Sequence, residues 1–247
     1  MRLTVMLVLA IAAGAVGIHA QNPVKPNPPK GFTALFNGKD LTGWRGRQPN
    51  YDPAIEAKLS KEDLAAKQAA WNTERDAHWK VDADTGEIVS DGKNPHLATA
   101  KDYGDFEFHV DWLMVSPNGD SGIYLRGIPQ VQIWDPSNPR EVRNGAEKGS
   151  GALWNNKADN PGKFPLVKAD NPIGEWNNLK IRMIGDKVWI WLNDKVTVDG
   201  QKLDNYFTPR GAEPTPVPER GPIELQTHNS ETRFRNIYIR EIPAGKK

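Results

Sequence analysis

Asn118-Gly-Asp-Ser-Gly-Ile-Tyr-Leu-Arg-Gly-Ile-Pro-Gln-Val-Gln-Ile-Trp-Asp135 reads as two short strands joined by a tight Gly-Ile-Pro connection. Side chains alternate between faces along a strand, so Ile123 and Leu125 point one way and Tyr124 and Arg126 the other. In the second strand Val131 and Ile133 take the apolar side, whereas Gln130, Gln132 and Trp134 join Tyr124 and Arg126. A sheet face of rings, amides and a guanidinium suits a polyhydroxylated ligand: sugar C–H faces stack on rings while the polar groups satisfy hydroxyls. The same pattern also describes a solvated face with an ordinary tryptophan, so neighbouring segments have to discriminate.

Working outward, Phe106, Phe108, Val110, Trp112 and Met114 form one apolar face of a strand over Asp105–Met114, with Glu107, His109 and Asp111 on the other. Further strands are predicted at Phe32–Phe36, His78–Val81, Glu87–Ser90 and His96–Thr99. A hairpin over 175–192 turns at Gly185-Asp186, followed by Lys195–Val198, Pro222–His228 and Thr232–Ile242. Between Arg45 and His78 the composition shifts to Ala, Lys, Glu and Gln. Ser60-Lys-Glu-Asp63 resembles a helix-start box there, so one short inserted helix is predicted, with Leu64 and Trp71 packed on the sheets. Many short alternating strands with polar turns and one inserted helix indicate an all-β, two-sheet antiparallel sandwich of jelly-roll type, its first and last strands adjacent. The long segment Pro136–Pro172 holds Trp154, Phe164 and Asp170 and is expected to be an ordered, ligand-contacting loop.

Residues 1–20 carry Arg2, an apolar run and a small terminal residue, the pattern of a signal peptide, which implies a secreted or periplasmic protein free of the membrane after cleavage. Residues 21–30 read as a proline-rich linker and 31–243 as the folded domain. There is no cysteine, so stability must come from a core rather than disulfides. The formal net charge of +1 offers no basic field for nucleic acid. Nine tryptophans exceed what a core of this size needs, which points to some on a binding surface.

In Ile223-Glu-Leu-Gln-Thr-His228, Ile223 and Leu225 go inward and Glu224, Gln226 and His228 outward. Pooled with the other strands, the polar face gathers Glu107, His109, Asp111, Tyr124, Arg126, Gln130, Gln132, Trp134, Glu224, Gln226 and His228. Two imidazoles and three carboxylates make acid–base chemistry possible there. No Gly-x-Ser-x-Gly elbow, phosphate loop or His-Glu-x-x-His pair occurs. No cofactor is implied. Oxygens of Asn118, Asp120 and Asp135 are the one set to which a divalent cation such as calcium is compatible, but their spacing matches no calcium loop and turn formation accounts for them.

Gly31-Phe-Thr-Ala-Leu-Phe-Asn-Gly-Lys-Asp-Leu-Thr-Gly-Trp44, Tyr103-Gly-Asp-Phe-Glu107, Asp120-Ser-Gly-Ile-Tyr-Leu-Arg126, Val131-Gln-Ile133, Gly174-Glu-Trp-Asn177, Trp191-Leu-Asn193 and Phe234-Arg-Asn-Ile-Tyr-Ile239 together resemble the 3-keto-disaccharide hydrolase domain, long catalogued as a domain of unknown function. The resemblance implies a concanavalin A-like jelly roll and a small saccharide substrate, a glycoside whose sugar carries a ketone at C3. Family members often have Tyr-Glu where this chain has Pro129-Gln130, and the 45–78 insertion is longer than usual. A C3 ketone acidifies the C2 proton, so a base can remove it and the enolate can expel the C1 aglycone before water adds. On that chemistry His228 or Asp111 is the expected base, Arg126 the enolate stabiliser and Glu107 or Glu224 the acid. Gln132 and Trp134 would orient the ring, with Trp154 at its border. The alternatives are a non-catalytic lectin-like module and a surface interaction protein.

Overall fold

The computed structural model describes residues 25–243, so the leader read in residues 1–20 and the first part of the linker lie outside them. In chain order the strands are β1 (Thr33–Ala34), β2 (Trp44–Arg47), β3 (Trp79–Asp82), β4 (Glu87–Ser90), β5 (His96–Thr99), β6 (Phe106–Met114), β7 (Asp120–Leu125) and β8 (Ile128–Trp134). There follow β9 (Asn177–Ile184), β10 (Lys187–Leu192), β11 (Lys195–Lys202), β12 (Glu224–Leu225) and β13 (Thr232–Glu241). Helices α1 (Pro53–Glu56) and α2 (Lys61–His78) come between β2 and β3. The strands form two antiparallel sheets, a large one ordered β11-β10-β9-β6-β13-β4-β3 with β1 on β13, and a small one ordered β2-β5-β12-β7-β8. This is the two-sheet jelly-roll sandwich anticipated from the alternation, with the first and last strands paired.

The core lies between the sheets. From the large sheet it takes Phe106, Phe108, Val110, Trp112 and Met114, and from the small one Leu97, Ile123, Leu125, Val131, Ile133 and Leu225. Each such side chain contributes about 1.5–3 kcal/mol on burial, which is why strict period-two patterning fixes both sheets. No helix of the described residues is long and apolar enough to cross a membrane.

The β7–β8 hairpin turns earlier than its sequence implies. Arg126 and Gly127 both have positive φ, 54° and 77°, as a two-residue turn between twisted strands requires. Ile128 therefore already pairs with Leu125, and the register shifts by one before Ile123 meets Val131. The resulting bulge accommodates Pro129, which has no N–H to give a ladder.

The insertion is more helical than expected: α1 adds a turn, and α2 runs for 18 residues from its cap at Ser60, whose hydroxyl accepts the Asp63 N–H. Its Ala, Gln, Glu and Arg residues favour helix, and nothing breaks the run before His78. Helix α2 lies along the free edge of β2 and satisfies its backbone. Gln68 donates to the Gly46 carbonyl at 2.9 Å, Asn72 accepts the Gly46 N–H at 3.0 Å, and Arg75 donates to the Trp44 carbonyl at 2.8 Å. These side chains stand in for a missing neighbour strand. The approach requires glycine, because a Cβ on Gly46 would sit 2.1 Å from the Trp71 carbonyl oxygen. Gly46→Val should therefore cost about 2 kcal/mol or more, as overpacking does, and lower the thermal midpoint by several degrees. A calorimetric midpoint equal to wild type would refute this packing.

At the opposite edge, β8 is bonded to the long loop: the Gln132 N–H donates to the Ala152 carbonyl at 2.9 Å, and the Gly151 N–H to the Gln132 carbonyl at 2.8 Å. The outer face of the small sheet thus lies between the helical insertion and the 136–172 loop.

Candidate active site on the small sheet

Register places Glu224 between Ala98 and Tyr124, Gly122 opposite Gln132, and Asp120 opposite Trp134 and His228. The outer face divides into a wet end and a sealed end.

At the wet end the His228 imidazole meets Asp120 Oδ2 through Nδ1 at 2.7 Å, and 52% of the His228 side chain is exposed. An ionised carboxylate only accepts, so Nδ1 carries the donated proton and Nε2 is left facing outward. The hydrogen bond to Asp120 raises the His228 pKa above the ordinary value, outweighing burial, and Glu141 of the long loop adds to the effect. The other Asp120 oxygen accepts from Gln132 at 2.6 Å, and Gln130 in turn donates to Gln132. Gln226 completes the cluster with a buried Oε1 that has no hydrogen-bond partner. The amides converge over Gly122, where a Cβ would come within 2.8 Å of that oxygen. Trp154 stacks edge-on against Trp134, ring centres 6.0 Å apart, and each indole N–H is held by a loop carbonyl. Glu141 is steadied by Asn144, which donates to it at 2.6 Å.

At the sealed end Arg47 donates to Glu224 Oε1 at 2.7 Å, His96 meets Glu224 Oε2 at 3.2 Å, and Arg47 also reaches Glu56 at 2.7 Å. Arg47 and Glu224 are completely buried. Burial pushes the Glu224 pKa up, but Arg47 and His96 outweigh it and hold the carboxyl below its usual range. Tyr124 donates to Asn50 at 2.8 Å, and burial keeps its phenol protonated far above the ordinary range. Glu224 and Tyr124 thus belong to the face but are shut under the start of the insertion. Glu224 is placed as a structural anion rather than an acid in reach of a ligand.

Four of the pooled residues lie elsewhere. Glu107, His109 and Asp111 project from the outer face of the large sheet: Glu107 pairs with Arg240, His109 stacks on Phe32 at 4.4 Å, and Asp111 accepts from Asn178 and Asn236 at 2.8 and 2.7 Å. Alternation separates inside from outside, but a sandwich has two outsides on opposite sides of the core. Arg126 fails for a different reason. Its positive φ turns it out of the strand, and its guanidinium donates to the carbonyls of Gly104, Gly185 and Pro218 and to Asp105 at 2.8–3.1 Å. With its donors spent on three carbonyls and a carboxylate from three chain segments, it is a staple at the end of the sandwich. The oxygens considered for a cation are also engaged: Asp135 accepts from the Asn118 N–H and from Ser137. Among the described residues no three His, Asp or Glu side chains converge as ligands.

Asp120 as the partner of His228, and Glu141, Arg47 and His96, were not singled out for these roles. Asp120 and His96 carried a usable signal, since Asp120 shares the parity of Tyr124, and His96 precedes the inward Leu97. Glu141 sits in an irregular loop where periodicity gives no face.

Tryptophans, amides and a histidine–carboxylate pair thus lie together on the outer face of the jelly roll. The chain belongs to the 3-keto-alpha-glucoside-1,2-lyase-like domain family, whose model matches residues 31–240. It is 23% identical over 252 residues to a 3-keto-disaccharide hydrolase of Bacteroides thetaiotaomicron, a match covering 86% of this chain and 79% of that one. Two candidate glycosyl hydrolase structures from Parabacteroides distasonis share the fold. One has 24% identity and a TM-score of 0.58, covering 86% of this chain and 94% of that one. The other has 23% identity and a TM-score of 0.56, covering 95% and 100%.

Proposed function

We propose that the protein is a carbohydrate-active enzyme that cleaves 3-keto-glycosides by elimination and hydration at the His228 end of the small sheet. The observation that carries this reading is the His228–Asp120 pair, a histidine with an outward nitrogen near side-chain amides and an indole. Its family and the named relative supply the substrate class. Nε2 of His228 takes the C2 proton, and the C–H electron pair forms an enolate with the C3 carbonyl. The enolate collapses to a C1–C2 double bond as the C1–O bond breaks, and the leaving oxygen takes the proton that His228 removed, which returns the imidazole to its neutral form. Water then adds at C1 with a proton returning to C2, which gives the free 3-keto sugar. Since Arg126 is committed elsewhere, the enolate oxygen is assigned to the Gln226 amide N–H. Half-buried Trp154 offers the apolar wall for the ring, with Trp134 buried behind it.

The test is to incubate the protein in deuterium oxide with 3-keto-glucosides and with the parent glucosides, following C2 label uptake and sugar release by NMR. Exchange and release restricted to the ketone-bearing substrates are expected. Equal cleavage of parent glucosides without exchange would point instead to paired-carboxylate glycosidase chemistry. Trp154→Ala should raise KM several-fold with little change in folding; unchanged kinetics would remove the loop from the site.

A further inference from the structure

The outer face of the large sheet, on the far side of the core from His228, carries a cleft of about 280 Å3 lined by Glu107, His109, Lys180, Arg182, Trp191 and Asp194. Strand register builds it as two cross-strand rows. Trp191 lies beside Lys180, which lies beside His109; Trp189 lies beside Arg182, which lies beside Glu107.

Three details point to a ligand of one kind. First, Trp189 carries the Arg182 guanidinium at 5.8 Å and Trp176 carries Arg235 at 3.9 Å, but neither a ring nor a cation of the described residues stacks on half-buried Trp191. An open indole beside polar groups is the usual platform for the C–H face of a sugar. Second, the charges are spent on one another. Lys180 pairs with Asp194 at 2.6 Å, and Glu107 pairs with Arg240 and lies 3.9 Å from Arg182, so no net field draws an ion. Third, hydrogen-bonding capacity is left over. Arg182 lines the cleft with its side chain 42% exposed, and its buried Nε has no hydrogen-bond partner that would tie the guanidinium down. His109, whose pKa burial and Lys180 hold below the ordinary value, is neutral near pH 7 and offers both a donor and an acceptor.

We propose that this cleft is a second, non-catalytic saccharide site that takes one neutral pyranose unit, with its ring on Trp191 and its hydroxyls on His109, Lys180 and Arg182. The volume, near the lower end for small-molecule sites, limits the occupant to about one ring. The description of this site as non-catalytic rests on the reading of His228 as the chemical centre. Two sites on opposite faces would let the protein stay on a glycan surface through one while working through the other, with the gain in local concentration that bivalency gives.

The test is calorimetric titration and saturation-transfer NMR with glucose, N-acetylglucosamine, maltose and cellobiose, on wild type and on Trp191→Ala, Lys180→Met and His228→Ala. At least one probe should bind, at least tenfold more weakly in Trp191→Ala and measurably more weakly in Lys180→Met, but as in wild type in His228→Ala. C2 exchange on 3-keto substrate should be unaffected in Trp191→Ala. Binding of none of the probes, binding lost only in His228→Ala, or capture only of uronates or sulfated sugars would overturn the proposal. Absence of C2 exchange from wild type would sink the catalytic reading and leave binding at Trp191 standing, so the two failures are separable.

Discussion

His228→Ala is expected to slow C2–H exchange by about 100- to 10,000-fold, the range a positioned general base contributes. Its half-exposed ring makes little of the core, so the melting temperature should barely move. Asp111→Ala, on the opposite face, should retain activity. The pH profile makes the prediction sharper. The base acts as neutral imidazole, and Asp120 holds its pKa above the ordinary 6.5, so the rate should climb with pH through a midpoint above that value. Asp120→Asn removes the charge and frees the tautomer; the midpoint should fall and the plateau rate with it. The pair's contribution to stability runs the other way. A raised histidine pKa stabilises the fold fully below about 6.5 and is lost as pH rises through the folded value. Activity and this stabilisation therefore trade places across the same window. A profile whose midpoint is the same in wild type and Asp120→Asn would remove the pair from the mechanism.

The second large effect is on stability. Arg47→Met leaves Glu224 buried without its principal cation, a loss of about 3–5 kcal/mol for breaking a buried pair. For a domain of this size that lowers the thermal midpoint by on the order of 10 °C. In wild type Glu224 has a depressed pKa, so its contribution is present above the ordinary 4.5 and lost as pH falls through the folded value. In Arg47→Met burial is opposed only by His96 and, more weakly, by Arg45, and the deficit should shrink on acidification as the carboxyl protonates. Arg47→Met combined with Glu224→Leu should recover much of the loss, since an apolar replacement of both partners leaves no orphaned charge. A single variant as stable as wild type at neutral pH would show that Glu224 has another partner.

Much of the fold was legible because inward residues repeat at period two with few exceptions: Phe106 to Met114, Ile123 with Leu125, and Val131 with Ile133 all face the core. The site was legible only in part. The same periodicity that placed Gln132, Gln226 and His228 outward placed His109 outward too, and no local pattern says which sheet a strand joins. Arg126 was misread because its role depends on positive φ in a turn one step earlier than Gly-Ile-Pro implies. The Arg47–Glu224–His96 cluster joins residues far apart in sequence, and their burial depends on a roof supplied by the insertion. Glu141 reaches the site through loop geometry alone.

The way α2 is fastened to β2 bears on how a ligand can get in. A helix free to swing would make the insertion a natural gate, but Gln68, Asn72 and Arg75 are each bound to strand backbone. Lifting it would strip three polar groups of their partners at once and open the Glu56–Arg47 contact below. The insertion is therefore a fixed wall over the Glu224 end, and the accessible part of the face is the one where half-exposed His228 stands near the loop of Glu141, Asn144 and Trp154. The rate at which a product leaves should accordingly follow the stiffness of that loop and be indifferent to changes on the solvent side of the helix.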